Sequence, residues 1–215
     1  MSLISINRAD AAVRIMCFGK EGGGAMFQVR IHGRGGQGVV SGAEMLSVAA
    51  FLEGRHAQAF PSFGSERMGA PVMAFCRIDD RPIRLREPVT TPDALIVQDT
   101  TLLHQVDLFN GLQANGVVLF NAKSGAEALR LAEDAGAGRG WRIHACPAGD
   151  LAQQYVGRAV PNVPLLASFA AYTGLIRLES VIAAVRDKFP ERIAASNIRA
   201  AEAAYALASG ESAHA

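Results

Sequence analysis

The stretch FQVRIHGRGGQGVV, Phe27 to Val40, constrains the fold more than any other part of the chain. A short apolar run of β type enters a glycine-rich turn and leaves it directly into an amphipathic segment. Gly33-Arg34-Gly35-Gly36-Gln37-Gly38 matches G-x-G-x-x-G between a strand and a helix. Glycines at those positions permit a tight turn and close approach of a ligand, and the helix start supplies free N–H groups and a partial positive charge. Val39, Ala43, Leu46 and Ala50 recur at helical spacing, and Gly54 is a plausible stop.

Further along, HAQAF and VMAFCRI read as strands on either side of a loop, PSFGSERMGAP, bracketed by Pro61 and Pro71. Asp79-Asp80-Arg81-Pro82 reads as a turn leading to IRL. DALIVQD and GVVLFN are continuous apolar runs of the kind found in parallel strands covered on both faces, and WRIHACPA is a weaker third. Helical candidates lie around Leu102–Leu112 and Gly125–Ala135. The last third is helical by propensity and spacing in PLLASFAAYTGLI, LESVIAAVRDKF and ERIAASNIRAAEAAYALA. Alternating strands and helices followed by helices predict an α/β domain with a mostly parallel sheet, helices on both faces and a helical C-terminal third. Gly22-Gly23-Gly24 breaks the chain ahead of Met26, so residues 1–25 are expected to be an extension or arm and 26–215 a single domain.

Composition excludes several classes. With 21 basic and 20 acidic residues, the net charge of +1 gives no electrostatic reason to expect nucleic acid or an anionic membrane as partner. No apolar run has the length and purity of a bilayer span or a signal peptide, so a soluble, cytoplasmic protein is expected. Cys17, Cys76 and Cys146 are far apart and form no C-x-x-C pair, the five histidines show no metal-binding spacing, and no carboxylate cluster suggests magnesium. No G-x-S-x-G elbow or triad spacing is present. The chain holds no self-sufficient catalytic set.

Two loops therefore carry the functional reading. The glycine turn has a mechanism for phosphate. A dinucleotide site is disfavoured, because the region where an acid would hold the ribose reads HAQAFPSF. The second loop holds Ser62, Phe63, Gly64, Ser65, Glu66, Arg67, Met68 and Gly69. In a parallel sheet it leaves a strand's C-terminal end beside the glycine turn, where ligands bind. Arg34 and Arg67 would then face one phosphate-bearing ligand.

Together, HGRGGQGVVSGAEMLSVAA and FPSFGSERMGAPVMAFCRID resemble the gamma subunit, or corresponding domain, of thiamine-diphosphate-dependent 2-oxoacid:acceptor oxidoreductases, the pyruvate:ferredoxin type among them. The similarity continues through DALIVQD, GVVLFN, Asn162 and the ERIAASN helix, and covers roughly Met26 to Ala208. The resemblance implies a Rossmann-like three-layer domain that is not active alone. It implies a multi-subunit enzyme that oxidatively decarboxylates a 2-oxoacid to acyl-coenzyme A. Thiamine diphosphate, Mg2+ and iron–sulfur clusters would sit on alpha, beta and ferredoxin-like delta subunits, which pass electrons to an acceptor such as ferredoxin or NAD. Carried over by position, coenzyme A contacts fall on Gly33, Arg34, Gly35, Gly36, Gln37 and Gly38, and on Gly64, Glu66, Arg67, Met68 and Gly69, with Met68 and Phe63 packing on the pantetheine or a partner. The alternatives are a purely structural scaffold subunit and an independent NAD(P)-binding oxidoreductase.

Overall fold

The computed structural model describes residues 26–62, 68–136 and 140–212, so the expectation for residues 1–25 lies outside the described residues. Strands run over Phe27–Arg34 (β1), His56–Pro61 (β2), Pro71–Asp79 (β3), Ala94–Val97 (β4), Val117–Asn121 (β5) and Arg142–Cys146 (β6). Helices run over Val39–Leu52 (α1), Gly125–Asp134 (α2), Ala148–Val156 (α3), Asn162–Thr173 (α4), Leu178–Lys188 (α5) and Glu191–Ser212 (α6). The sheet order is β2-β3-β1-β4-β5-β6. β1, β4, β5 and β6 are mutually parallel, and β3 runs antiparallel to both β1 and β2. β2 therefore points the same way as β1, and only β3 is reversed. The mostly parallel three-layer architecture expected from the sequence is present.

Side-chain alternation explains the two cores. Val29 and Ile31 of β1 face a large core with Met45, Leu46, Leu165 and Phe169, under α1 and α4. Leu95, Val97, Val118 and Phe120 face a second core with Leu102, Ala128 and Ala132, under α2. β4 and β5 feed both cores, Ile96 and Leu119 lying in the first. That double burial is why their sequences are unbroken apolar runs. The alanine-rich last third follows from close helix packing: Ala201 and Ala204 of α6 are fully buried, and Ser168 of α4 donates its hydroxyl to the Ala204 carbonyl at 3.3 Å.

The second face is covered unevenly. Its core spans β4–β6, whereas over β2-β3-β1 it presents Gln58, Phe60, Arg77, Phe75, Arg30 and His32, which the strand register places side by side. No helix among the described residues is long and apolar enough to cross a membrane.

Two local expectations are corrected. The helix expected around Leu102–Leu112 is a 3-10 turn over Thr100–His104 followed by irregular chain. Its apolar spacing serves the second core, while Gly111, at φ +76°, turns the backbone out of a helix. The segment after Cys146, read as the tail of a strand, starts α3, bounded by Pro147 and by Gly157 at φ +79°.

Candidate functional site

β1 extends through Arg34, so Gly33 is a strand residue rather than part of the turn. A Cβ on Gly33 would lie 2.7 Å from Val39 Cγ2 and 3.0 Å from Gln98 Oε1, so the first glycine allows α1 to fold back against the strand. Gly36 and Gly38 adopt φ +94° and +73°, values that suit glycine. Gly38 precedes α1 with no side-chain cap, and the first turn of α1 contains no acid. The backbone N–H groups of Val39 to Ser41 have no acceptor within the helix. They border a cavity of about 440 Å³ that Arg34, Gly36, Met68 and Val72 also line.

The second loop joins β2 to the antiparallel β3, whose first residue, Pro71, pairs with Arg34, so it returns beside this turn. Gly35 N–H donates to the Ala70 carbonyl at 2.9 Å, and Gly69 N–H donates to the Gly35 carbonyl at 3.1 Å. Met68 is 84% exposed. Gly64, Glu66 and Arg67 lie outside the described residues, as does Phe63.

Arg34 is committed to a clip that the sequence did not disclose. Its Nε lies 3.3 Å from Asp99 Oδ2, its Nη1 donates to the Gly69 carbonyl at 3.1 Å, and its Nη2 donates to Thr101 Oγ1 at 2.7 Å. Gln37 completes it: Oε1 accepts from Arg34 N–H at 2.8 Å and Nε2 donates to Asp99 Oδ2 at 3.0 Å. Burial pushes the Asp99 carboxyl up, but hydrogen bonds from Thr101 and Gln37 and the Arg34 guanidinium outweigh that and hold it below its usual range. The chain leaves β1 toward α1 on one face and leaves β4 toward the 3-10 turn on the other. The clip therefore closes the crevice where the sheet's winding changes sides, the usual ligand position in open α/β sheets. Asn162 supports the turn from α4, donating Nδ2 to the Gly38 carbonyl at 3.3 Å. Gln98, Asp99 and Asn121 share a readable signal: each is a polar residue at the end of an apolar parallel run.

Beside the clip, on the uneven second face, His32 is driven down to a pKa of about 3, first by burial and then by the Arg30 guanidinium. Unfolded, its pKa returns to about 6.5. Between those values the unfolded chain takes up a proton that the folded chain does not, so stability is present above the upper value and lost as pH falls. Between pH 7 and 6 this group alone is expected to remove about 0.7 kcal/mol. Urea unfolding of His32→Gln at both pH values should show a shallower fall than the parent; equal falls would contradict the assignment.

Comparison with known proteins identifies the family. The family model described as pyruvate ferredoxin/flavodoxin oxidoreductase matches residues 28–207. Pyruvate synthase subunit PorC of Methanothermobacter thermautotrophicus is 44% identical over 180 residues, covering 84% of this chain and 94% of the relative. The pyruvate/ketoisovalerate oxidoreductases common subunit gamma of Pyrococcus furiosus is 42% identical over 181 residues, covering 84% and 96%. The crystal structure of pyruvate oxidoreductase subunit PORC from Thermotoga maritima superposes with a TM-score of 0.72 at 34% identity, covering 84% of this chain and 96% of that one. In fold alone, the chain is also similar to 2-oxoglutarate:ferredoxin oxidoreductase from Magnetococcus marinus, solved with 2-oxoglutarate, coenzyme A and succinyl-CoA bound, at a TM-score of 0.65 and 17% identity, covering 88% of this chain and 32% of that one. The chain belongs to the pyruvate ferredoxin/flavodoxin oxidoreductase family, as a gamma-type subunit of a 2-oxoacid oxidoreductase.

Proposed function

We propose that the rim made by Gly33 to Gly38, the start of α1 and the Met68–Ala70 return binds the phosphate-bearing end of coenzyme A within a multi-subunit enzyme that converts a 2-oxoacid to its acyl-coenzyme A. The observation that carries this reading is the uncapped, acid-free start of α1 opening onto a cavity between the two loops. Coenzyme A is rich in phosphate and needs no acid on a 2′-hydroxyl, which suits a rim without one. Because Asp99 offsets the charge of Arg34, the backbone amides of α1 carry the anion contact, and Arg34 holds the two loops at the correct separation. Arg67 adds a cation from the second loop.

The decarboxylation and electron transfer belong to companion chains in this reading. Thiamine diphosphate with Mg2+ resides on alpha and beta subunits, iron–sulfur clusters reside on a ferredoxin-like delta subunit, and the assembly is cytoplasmic. In this reading the chain's own chemistry is binding and positioning.

Replacing Arg67 with Ala in the assembled complex is expected to raise the apparent KM for coenzyme A about fivefold, the loss of one charge-assisted contact. Thiamine and cluster content should not change. Tight binding of NAD(H) or NADP(H) to the isolated chain in a calorimetric titration would instead favour an independent dinucleotide enzyme.

A further inference from the structure

A second cavity, of about 370 Å³, lies on the second sheet face beside β1 and β3, where no helix among the described residues covers it. Arg30 and His32 of β1 line it, together with Val106, Asp107 and Asn110 on one side and Met73 on the other. Both β1 side chains are 7% exposed, and each carries a buried nitrogen with no hydrogen-bond partner among the described residues, Arg30 Nε and His32 Nε2. Buried polar nitrogens left without a partner carry a standing desolvation penalty, which a resident hydrogen-bonding group relieves. The volume falls in the range of small-ligand pockets, roughly 300–1,000 Å³.

The chemistry of these donors selects among ligands. Arg30 Nη2 already donates to the Leu108 and Asn110 carbonyls, at 2.7 and 2.8 Å. The guanidinium therefore lacks the two-pronged edge that grips phosphate or carboxylate. Asp107 at the same cavity opposes its charge. His32 is a neutral imidazole and offers one N–H. Single donors among the aliphatic side chains of Leu102, Val106 and Met73 suit neutral carbonyls spaced along an aliphatic chain. This cavity also adjoins the glycine rim: Val72 at the start of β3 lines both, and Ser62 and Met68 bracket the same loop from the two cavities.

We propose that this cavity seats the amide-bearing pantetheine arm of the coenzyme A whose phosphates the glycine rim holds, with Arg30 Nε and His32 Nε2 donating to its carbonyls. The inference rests on the coenzyme A reading above, and fragments of the cofactor separate the two. Pantetheine lacks the nucleotide, and adenosine 3′,5′-bisphosphate lacks the arm. Each is titrated as an inhibitor of coenzyme A-dependent turnover by the assembled complex. Val106 is 40% exposed, so Val106→Trp fills the cavity from its open side without disturbing the core; Asn110→Trp does so from a second exposed position, and thermal unfolding checks both. Either variant should raise the inhibition constant of pantetheine at least tenfold and change that of the bisphosphate less than twofold. Ser41→Glu, at the glycine rim, should do the reverse. If the cavity-filled variants leave pantetheine inhibition intact, or pantetheine does not inhibit the parent complex, the arm lies elsewhere, while the rim reading stands on the Ser41→Glu result. If Ser41→Glu leaves bisphosphate inhibition intact, the rim reading falls and this inference falls with it.

Discussion

Ser41→Glu should raise the apparent KM of the complex for coenzyme A by roughly ten- to hundredfold and leave the fold as stable as before, or slightly more so. Ser41 is the third residue of α1 and borders the rim cavity. A carboxylate in the first turn of a helix normally stabilises it by about 0.3–1 kcal/mol through the helix dipole. α1 has no such residue, so on stability grounds alone the substitution is favourable. A bound phosphate reverses the sign, because two like charges about 5 Å apart near a protein surface repel by about 3 kcal/mol before salt screening. Ser41→Gln fills the same space without charge and is the control. The ratio of the Glu to the Gln effect should shrink as ionic strength rises. Equal KM values for the two variants would mean that no anion binds at this helix start, and that α1 opens with an uncapped glycine for packing reasons alone.

The site was legible in part because its main determinants are local. The glycine turn, the strand before it and the spacing of Val39, Ala43, Leu46 and Ala50 lie within one short stretch, and all four of the spaced residues line the α1 face of the larger core or pack against it. The second loop was expected at the strand ends beside the glycine turn, and its described end lies there through the Gly35–Ala70 and Gly69–Gly35 hydrogen bonds, brought back by the antiparallel β3. The Arg34–Asp99 clip was not legible, because it joins the ends of two strands distant in the chain and depends on β4, not β2, being a neighbour of β1. An arginine beside glycines reads as a free phosphate ligand until its carboxylate partner is known. The missed 3-10 turn has a similar cause. Leu102, Leu103, Leu108 and Leu112 mimic helical spacing, yet they reach the second core from a chain that bends at Gly111. The antiparallel β3 was hidden for another reason: its apolar run is buried like those of the parallel strands β4 and β5, and burial carries no record of direction.

Gly38→Ala is expected to cost about 3 kcal/mol, from two sources that a double substitution separates. The first is conformational: Gly38 sits at φ +73°, where an L side chain costs roughly 1–2 kcal/mol. The second is steric, since a Cβ there would lie 2.3 Å from Asn162 Nδ2. Asn162 is 4% exposed and fixed at both ends of its amide, donating to the Gly38 carbonyl and accepting from Val163 N–H at 2.9 Å, so it cannot swing aside. For a chain of this size the loss corresponds to a fall in Tm of roughly 6–12 °C. Asn162→Ala alone removes both of these hydrogen bonds and should cost about 1–2 kcal/mol. Combined with Gly38→Ala it also removes the obstacle, so the double variant should be more stable than the sum of the single effects by about 1 kcal/mol or more, leaving the conformational cost in place. Strict additivity would show that the start of α1 shifts to accept the methyl group without meeting Asn162. In that case the apparent KM for coenzyme A should rise in Gly38→Ala in step with the displaced amides.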